Sequence, residues 1–185
     1  MAVLLAAAIQ PASAQWTLNA QTRGRNYSNH LAPYVVSPQH IVDRMLELAD
    51  VKPGETVYDL GSGDGRVLIT AVQRFRAKAV GVEISEVLVR QATDRIARLG
   101  LQNEARVIQG DLMQVDVSPA DVVTFYLMTE SNGLLRPRLE KMLKPGARVV
   151  SYEYAVPGWK PKLVERADDD SHGHSIFVYV MPPKK

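Results

Sequence analysis

Cysteine is absent from the 185 residues of this sequence. Its absence excludes disulfide bonds, metal sites built on thiolates and catalysis by a cysteine nucleophile. A run of lysine or arginine is also missing, and with a formal net charge of only +2 nothing here calls for a nucleic-acid partner. The hydrophobic content of 46% and the charged content of 23% are typical of a soluble globular protein, and the length suits one domain with a substantial core.

A long hydrophobic run is missing too, because the apolar stretch at residues 2–9 is too short to span a bilayer. Residues 12–14, Ala-Ser-Ala, follow it with the spacing of a signal-peptidase site, but no Lys or Arg precedes it. The pattern leaves open a signal peptide, an apolar tail and membrane association through this end, and it leaves the localisation open as well. We expect residues 1–31 to form this segment and a polar arm, and residues 32–185 to form the domain.

Three glycines join a predicted buried strand to a predicted helix in the segment VYDLGSGDGRV, residues 57–67. Gly61, Gly63 and Gly65 allow a tight turn and a close approach of the backbone to a ligand. Apolar residues recur at helical spacing over residues 67–75, so the turn lies at a helix N-terminus, where backbone amides favour negative charge or lone pairs. The segment therefore predicts a loop that binds a nucleotide-like cofactor.

Two common nucleotide loops lack a required residue in this segment. The dinucleotide fingerprint needs Gly or Ala where the chain has Arg66, which disfavours a nicotinamide oxidoreductase. A phosphate loop needs Lys followed by Ser or Thr, and that pair is absent. Asp59 instead stands two residues before the first glycine, where a carboxylate repels a pyrophosphate but attracts the ammonium of an amino-acid-like cofactor. S-adenosylmethionine is such a cofactor.

The motif DLGSGDG resembles the first motif of class I S-adenosylmethionine-dependent methyltransferases. In that superfamily an acid ending the second strand accepts the ribose hydroxyls, and an acid after the third strand receives the adenine amino group; Glu83 and Asp111 stand at these positions. A loop or helix-cap role explains any one acid alone, but acids ending three successive strands favour the cofactor. The resemblance implies S-adenosylmethionine, with these residues at its site: Asp59, Gly61, Ser62, Gly63, Asp64, Gly65, Glu83, Asp111 and Leu112.

A narrower resemblance combines the glycine loop with PYVVSP at residues 33–38 and DVVTFYL at residues 121–127. These segments are similar to a group that includes archaeal broad-specificity protein lysine methyltransferases and the mitochondrial enzyme that methylates the ATP synthase c subunit. The resemblance implies a protein substrate methylated on lysine, and it places Tyr34 and Ser37 beside the cofactor. The sequence departs from the group at Val36, where proline is usual, and at Ser37, where threonine is usual.

Strand and helix patterns alternate along the rest of the chain. Apart from the strand that leads into the glycine loop, strands are predicted at residues 79–84, 105–109, 121–127 and 147–152, and a closing hairpin at 162–166 and 175–181. Helices are predicted after Ser37 as N-cap and Pro38, after the glycine loop, after Ser85, and over residues 134–143. The order predicts an α/β, Rossmann-like fold: a seven-stranded, mostly parallel sheet with helices on both faces and an antiparallel last strand.

The methyl acceptor is expected just past the fourth predicted strand, at residues 126–132. Methyltransferases that act on adenine or glutamine amides carry an Asn- or Asp-Pro-Pro-aromatic motif there, whereas this chain has FYLM at residues 125–128. That departure favours an aliphatic amine. A lysine ammonium, with a pKa near ~10.4, must lose a proton to react, and a dry aromatic channel lowers that pKa. Tyr126 is the first candidate to line the channel and Tyr34 the second, and no residue stands out as a general base.

Three further predictions complete the interpretation. The segment DDDSHGH, residues 168–174, has metal-ligand residue types, but its place inside a predicted hairpin favours a polar loop, so we expect no metal. We also expect a monomer. A small-molecule methyltransferase, with the arm before Tyr34 enclosing the acceptor, and an exported protein that keeps the fold without activity stay open as alternatives.

Overall fold

The computed structural model describes residues 34–167 and 174–183. The predicted N-terminal arm, with its signal-like segment, lies outside these residues, as does most of the acidic and histidine-containing loop at 168–174. The helices are α1 (Gln39–Leu48), α2 (Arg66–Phe75), α3 (Glu86–Arg98) and α4 (Thr129–Met142). The strands are β1 (Thr56–Leu60), β2 (Lys78–Glu83), β3 (Ala105–Gln109), β4 (Val122–Phe125), β5 (Arg148–Tyr152), β6 (Leu163–Ala167) and β7 (His174–Val180).

The strands form one sheet in the order β3-β2-β1-β4-β5-β7-β6. Strands β1 to β5 pair in parallel, and β7 lies antiparallel between β5 and β6. The chain therefore builds outward from β1 to β3 and then returns to the other side of β1 with β4. Open parallel sheets bind ligands at the carboxyl ends of the strands beside such a reversal. The predicted fold class, including the antiparallel last strand, is confirmed.

Alternate residues of the central strands feed two hydrophobic layers, as expected of a sheet covered on both faces. On one face Val57 of β1 and Val122 of β4 pack with α1 and α2. On the other face Tyr58 and Val123, the next residues of the same strands, pack with Leu135 and other residues of α4. Within the described ranges no helix combines the length and apolar character needed to cross a membrane.

The boundaries of three predicted elements are corrected by the structure. Pro38, not Ser37, occupies the N-cap position of α1, and its carbonyl accepts hydrogen bonds from the amides of residues 41 and 42 without any side-chain cap. Helix α4 begins at Thr129, five residues before the predicted start, and β4 ends at Phe125, two residues before the predicted end. Tyr126 therefore lies in the short connection between β4 and α4, at the carboxyl edge of the sheet.

Candidate active site

The glycine loop is anchored to the neighbouring strand before it enters α2. The amides of Gly61 and Ser62 both donate to the carbonyl of Val82 in β2, at 2.8 and 3.0 Å. Gly63 and Gly65 have φ angles of +52° and +77°, in the left-handed region that favours glycine. These contacts hold the loop at the carboxyl ends of β1 and β2, where the sequence predicts it.

Tyr34 lies against this loop. A Cβ built on Gly63 would stand 2.7 Å from Cε2 of Tyr34, so the aromatic ring occupies the space that any other residue would fill. Burial against the loop, with a smaller contribution from Asp64, raises the pKa of the Tyr34 hydroxyl above its ordinary value. The structure therefore brings Tyr34 to the predicted cofactor loop, even though the side chain is still 43% exposed.

Arg66 attaches the segment after Tyr34 to the same loop. Its guanidinium donates to the backbone carbonyl of Ser37 at 2.7 Å and to both carboxylate oxygens of Asp64. Arg95 of α3 donates to the same carboxylate at 2.9 Å. Asp64, predicted to contact the cofactor, thus has a carboxylate that bridges two arginines, and Ser37 is fixed through its main chain.

Asp59, at the end of β1, is a buried acid without a cationic partner in the described part of the chain. It is 5% exposed, and its Oδ1 accepts a 2.7 Å hydrogen bond from the hydroxyl of Thr124 in β4. Burial raises the pKa of the Asp59 carboxyl to about 7, against the opposing effect of that hydrogen bond and with help from the negative charges of Glu83 and Asp64. A carboxyl kept at this cost beside a binding loop is typical of a functional site.

Two more acids stand at the ends of the next two strands. Glu83 is buried at the end of β2, where its two carboxylate oxygens accept from the amides of Gly63 and Ser85, each at 2.9 Å. These bonds hold the carboxylate beside the glycine loop. Asp111, just beyond β3, accepts from the amide of Met113 at 2.8 Å. Leu112 packs beside them against the second hydrophobic layer.

These residues fit S-adenosylmethionine by the chemistry of their donor set. Ser62 Oγ is buried and has no hydrogen-bond partner within residues 34–167 and 174–183, so a polar ligand can supply one. Asp59 has a carboxylate without a cation, as an ammonium requires, and Glu83 offers a fixed carboxylate for hydroxyl groups. The assignment of each residue to a part of the cofactor stays a prediction.

Three tyrosines cluster across the carboxyl ends of β4 and β5. The rings of Tyr126 and Tyr152 meet edge to face with centroids 4.6 Å apart, and Tyr154 stacks with Tyr126 at 6.3 Å. Tyr152 is buried, Tyr126 is partly buried and Tyr154 is 37% exposed, so the cluster runs from the core to the surface. This is the aromatic wall that the sequence predicts at Tyr126.

Sequence reasoning missed the group that organises this wall. The hydroxyl of Tyr126 donates to Oε2 of Glu153, and Nδ1 of His174 lies 2.5 Å from Oε1 of the same carboxylate. Burial, followed by the hydrogen bond to Glu153, raises the pKa of Tyr126 far above its ordinary value. The partners of Glu153 come from three separate parts of the chain, and only its position at a strand end could have drawn attention to it.

Asn132, buried in the second turn of α4, closes the same region from below. Its amide nitrogen donates to the carbonyls of Tyr154 and Ala155 and to the hydroxyl of Ser151, at 2.9, 3.3 and 3.2 Å. The residue lies at the end of the predicted acceptor segment, 126–132. Its contacts tie the start of α4 to the turn after β5 and so fix the spacing of the aromatic wall.

A seven-stranded sheet of this order, with a glycine loop after β1 and acids ending β1 to β3, defines a class I S-adenosylmethionine-dependent methyltransferase. S-adenosylmethionine is the cofactor of this enzyme. The chain belongs to the ANTKMT methyltransferase domain family, whose profile matches residues 59–163.

Curated relatives of the chain carry one chemistry in their names. It is 45% identical to a protein-lysine N-methyltransferase of Saccharolobus islandicus, a match covering 86% of this chain and 99% of the relative. It is 34% identical to the adenine nucleotide translocase lysine N-methyltransferase of Mus musculus, covering 80% of this chain and 65% of the relative. For the human lysine N-methyltransferase of the ATP synthase c subunit the values are 30%, 71% and 56%. The chain therefore spans about two thirds or less of these two mammalian relatives.

Solved structures with the same fold include methyltransferases of other descriptions. A Salinibacter ruber protein described as an RNA methyltransferase, in complex with S-adenosyl-L-homocysteine, is 40% identical, with a TM-score of 0.76; the match covers 82% of this chain and 96% of that one. TrmK of B. subtilis, a tRNA methyltransferase, is 19% identical, with a TM-score of 0.64, over 80% of this chain and 68% of that one. The second likeness shows the fold alone.

Proposed function

We propose that this methyltransferase transfers methyl groups to lysine side chains of a protein. The observation that carries the proposal is the tyrosine cluster at the carboxyl ends of β4 and β5, completed by the Glu153 carboxylate. Rings line a path for an alkyl chain, and a carboxylate at its end attracts an ammonium. The relatives named as lysine methyltransferases, led by one that is covered almost completely, support the same acceptor.

The cofactor half of the site is assigned as follows in this proposal. Asp59 pairs with the ammonium of the methionine moiety, Glu83 accepts the ribose hydroxyls and Asp111 receives the adenine amino group. Tyr34 covers the glycine loop from the solvent side, and Arg66 holds it there through the carbonyl of Ser37. When bound, S-adenosylmethionine supplies an electrophilic methyl group on a sulfonium.

The acceptor half must deliver a neutral amine in line with that methyl. A lysine ammonium has a pKa near ~10.4 and no lone pair, so the site must favour its deprotonation. The rings of Tyr126, Tyr152 and Tyr154 exclude water, which disfavours the charged form. Holding the nitrogen on axis supplies the rest, because well-oriented reactants can gain several kcal/mol, roughly 7 at the low end of effective molarities.

An RNA acceptor is the competing proposal, raised by the likeness to the Salinibacter ruber protein described as an RNA methyltransferase. RNA binding depends on cations that neutralise phosphates, and this chain has a formal net charge of only +2 and no basic run. The acceptor side carries a carboxylate, Glu153, whose charge repels a phosphate backbone. These features favour a protein amine over a nucleotide.

The test is a labelling experiment on fractions of one cell extract. The full chain is incubated with methyl-labelled S-adenosylmethionine and, in separate reactions, with the protein, RNA and small-molecule fractions. The proposal predicts label in the protein fraction, recovered as methyllysine after acid hydrolysis, and none above background with Glu83→Ala at low donor concentration. Label confined to RNA or to small molecules would overturn it.

A further inference from the structure

Glu153 stands in an unusual backbone conformation at the mouth of the acceptor side. It follows the last residue of β5 with φ +61°, a left-handed conformation that costs free energy for any residue with a Cβ. The main chain is held there by hydrogen bonds from its amide to the carbonyl of Ser175, at 2.7 Å, and from Tyr154 to Tyr152, at 2.8 Å. Non-glycine residues kept in such conformations cluster at functional sites.

The contacts of the Glu153 carboxylate dictate which way the Tyr126 hydroxyl points. An ionised carboxylate has no proton to give, so the hydrogen bond between them must be donated by Tyr126. Its single proton being committed, the phenolic oxygen offers only lone pairs to a third group. An ammonium has three N–H donors and no acceptor, and is therefore the complement of that oxygen.

The groups that face Glu153 come from three elements. Tyr126 reaches it from the connection after β4, and His174 from the start of β7. Tyr152 and Tyr154 flank it in sequence and pack their rings on Tyr126, while the Tyr152 ring also meets His174 at 5.5 Å. One carboxylate therefore bridges a phenol and an imidazole inside an aromatic enclosure.

We propose that Glu153 is a positioning residue for the methyl transfer, which fixes Tyr126 as a hydrogen-bond acceptor for the lysine ammonium and receives its proton through the Tyr126 hydroxyl. This inference rests on the proposed lysine acceptor. In the step, an N–H bond of the ammonium breaks and its proton passes to the Tyr126 oxygen, while the phenolic proton passes to Glu153. The electron pair stays on nitrogen, now a neutral amine able to attack the methyl. Glu153 afterwards returns the proton to solvent.

The test compares the pH dependence of methylation in matched variants of the full chain. Glu153→Gln keeps the length and one hydrogen-bond acceptor but removes the charge, and Glu165→Gln in β6 is the control, since Glu165 pairs with Arg44 of α1 away from the tyrosines. Initial rates are measured with saturating S-adenosylmethionine and unfractionated histones as a lysine-rich acceptor. Binding of S-adenosylhomocysteine is measured by calorimetry as the readout independent of activity.

For Glu153→Gln we expect an initial rate at pH 7.5 at least tenfold below the wild type, with product affinity within twofold. The rate of this variant should then rise steeply towards pH 9.5, because the supply of neutral lysine grows about tenfold per pH unit below its pKa. Glu165→Gln should match the wild type throughout. A merely structural role for Glu153 would lower the rate by the same factor at every pH.

Tyr126→Phe provides a second variant that leaves Glu153 and His174 in place. It should show the same steep pH dependence, and the double variant Tyr126→Phe, Glu153→Gln should be no slower than the worse single variant, because both act on one proton path. Lysine methylation by the wild type together with a pH-independent loss in both variants, or additive losses, would overturn the role of Glu153 alone. A wild type that methylates no lysine would overturn the proposed function and this inference together.

Discussion

The pH dependence of cofactor binding follows from Asp59 and can be worked out from the structure. Burial raises the pKa of this carboxyl to about 7, and only its ionised form attracts the ammonium of the ligand. With a pKa of 7, about 3% of the carboxyl is ionised at pH 5.5 and about 70% at pH 7.4. An α-amino group, with a pKa of roughly 7.7 to 8.0, is charged in nearly all ligand molecules at pH 5.5 and in about 70% at pH 7.4.

The binding-competent fraction is the product of these two populations. It falls from about one half at pH 7.4 to about 3% at pH 5.5, so the dissociation constant of S-adenosylhomocysteine should rise about 15- to 20-fold. At pH 9 the ligand loses its proton instead, and the constant should rise roughly tenfold. Isothermal titration calorimetry at these three pH values measures the profile.

Two variants separate Asp59 from other titrating groups. Asp59→Asn keeps an oxygen for the Thr124 hydroxyl but cannot ionise, so its weaker binding should be flat between pH 5.5 and 7. Thr124→Val removes the hydrogen bond that lowers the Asp59 pKa, and should move the acid limb to higher pH. Equal affinity of the wild type at pH 5.5 and 7.4, or an acid limb retained in Asp59→Asn, would refute the assignment of Asp59 to the ammonium.

The same carboxyl should make the ligand-free protein less stable as pH rises. Its folded-state pKa is above the ordinary value, so the folded state binds the extra proton, and stability is lost between about pH 4 and 7. A shift of about three units corresponds to up to roughly 4 kcal/mol. Asp59→Asn should therefore melt at a higher temperature than the wild type at pH 8 and at nearly the same temperature at pH 4, which calorimetry can check.

Three further predictions concern the loop and the acceptor wall. Glu83→Ala removes two charge-assisted hydrogen bonds to the ribose, worth ~1.5 to 3 kcal/mol each, so donor affinity measured by calorimetry should fall at least tenfold. Gly63→Ala and Gly54→Ala both place a Cβ at positive φ, but only the first meets an aromatic ring, so only the first should weaken donor binding; equal affinity losses would contradict the packing of that ring. Glu153→Gln should lower the pKa of Tyr126 in an ultraviolet titration, since the carboxylate raises it; an unchanged curve would contradict their contact.

The cofactor half of the site was predictable because its residues lie close together in the sequence. Asp59 and the glycine loop occupy one strand-to-helix turn, and Glu83 and Asp111 end the next two strands. Alternation of strands with helices fixes the parallel order, so the carboxyl ends meet at one edge of the sheet. The structure confirms this placement, while the contacts with the cofactor itself stay predictions.

The acceptor half was only partly predictable because its contacts join distant residues. Glu153 meets Tyr126 and His174, 27 and 21 positions away, and its left-handed backbone leaves no trace in the residue pattern. The sequence predicts α4 too short, since Ser131, Asn132 and Gly133 are weak helix formers. The tertiary contacts of Asn132 stabilise its first turns nevertheless.

The predicted Ser37 cap is wrong for a related reason. Arg66 binds the Ser37 carbonyl and draws this residue towards the glycine loop, and the helix then begins one residue later, at the Pro38 carbonyl. A capping pattern describes local preference, whereas here a contact across 29 positions decides the geometry. The same contact is what brings Tyr34 over the loop, which the family resemblance implied and local pattern did not.

The most direct test of the central claim is to locate the transferred methyl group on its acceptor. The full chain is incubated with S-adenosylmethionine carrying a deuterated methyl group and with a whole protein extract, and tryptic peptides are then sequenced by tandem mass spectrometry. Our account predicts heavy methyl groups on the ε-nitrogen of lysine residues, absent when Glu83→Ala replaces the wild type at low donor concentration. Heavy methyl groups found only on arginine, glutamine or chain termini would contradict it.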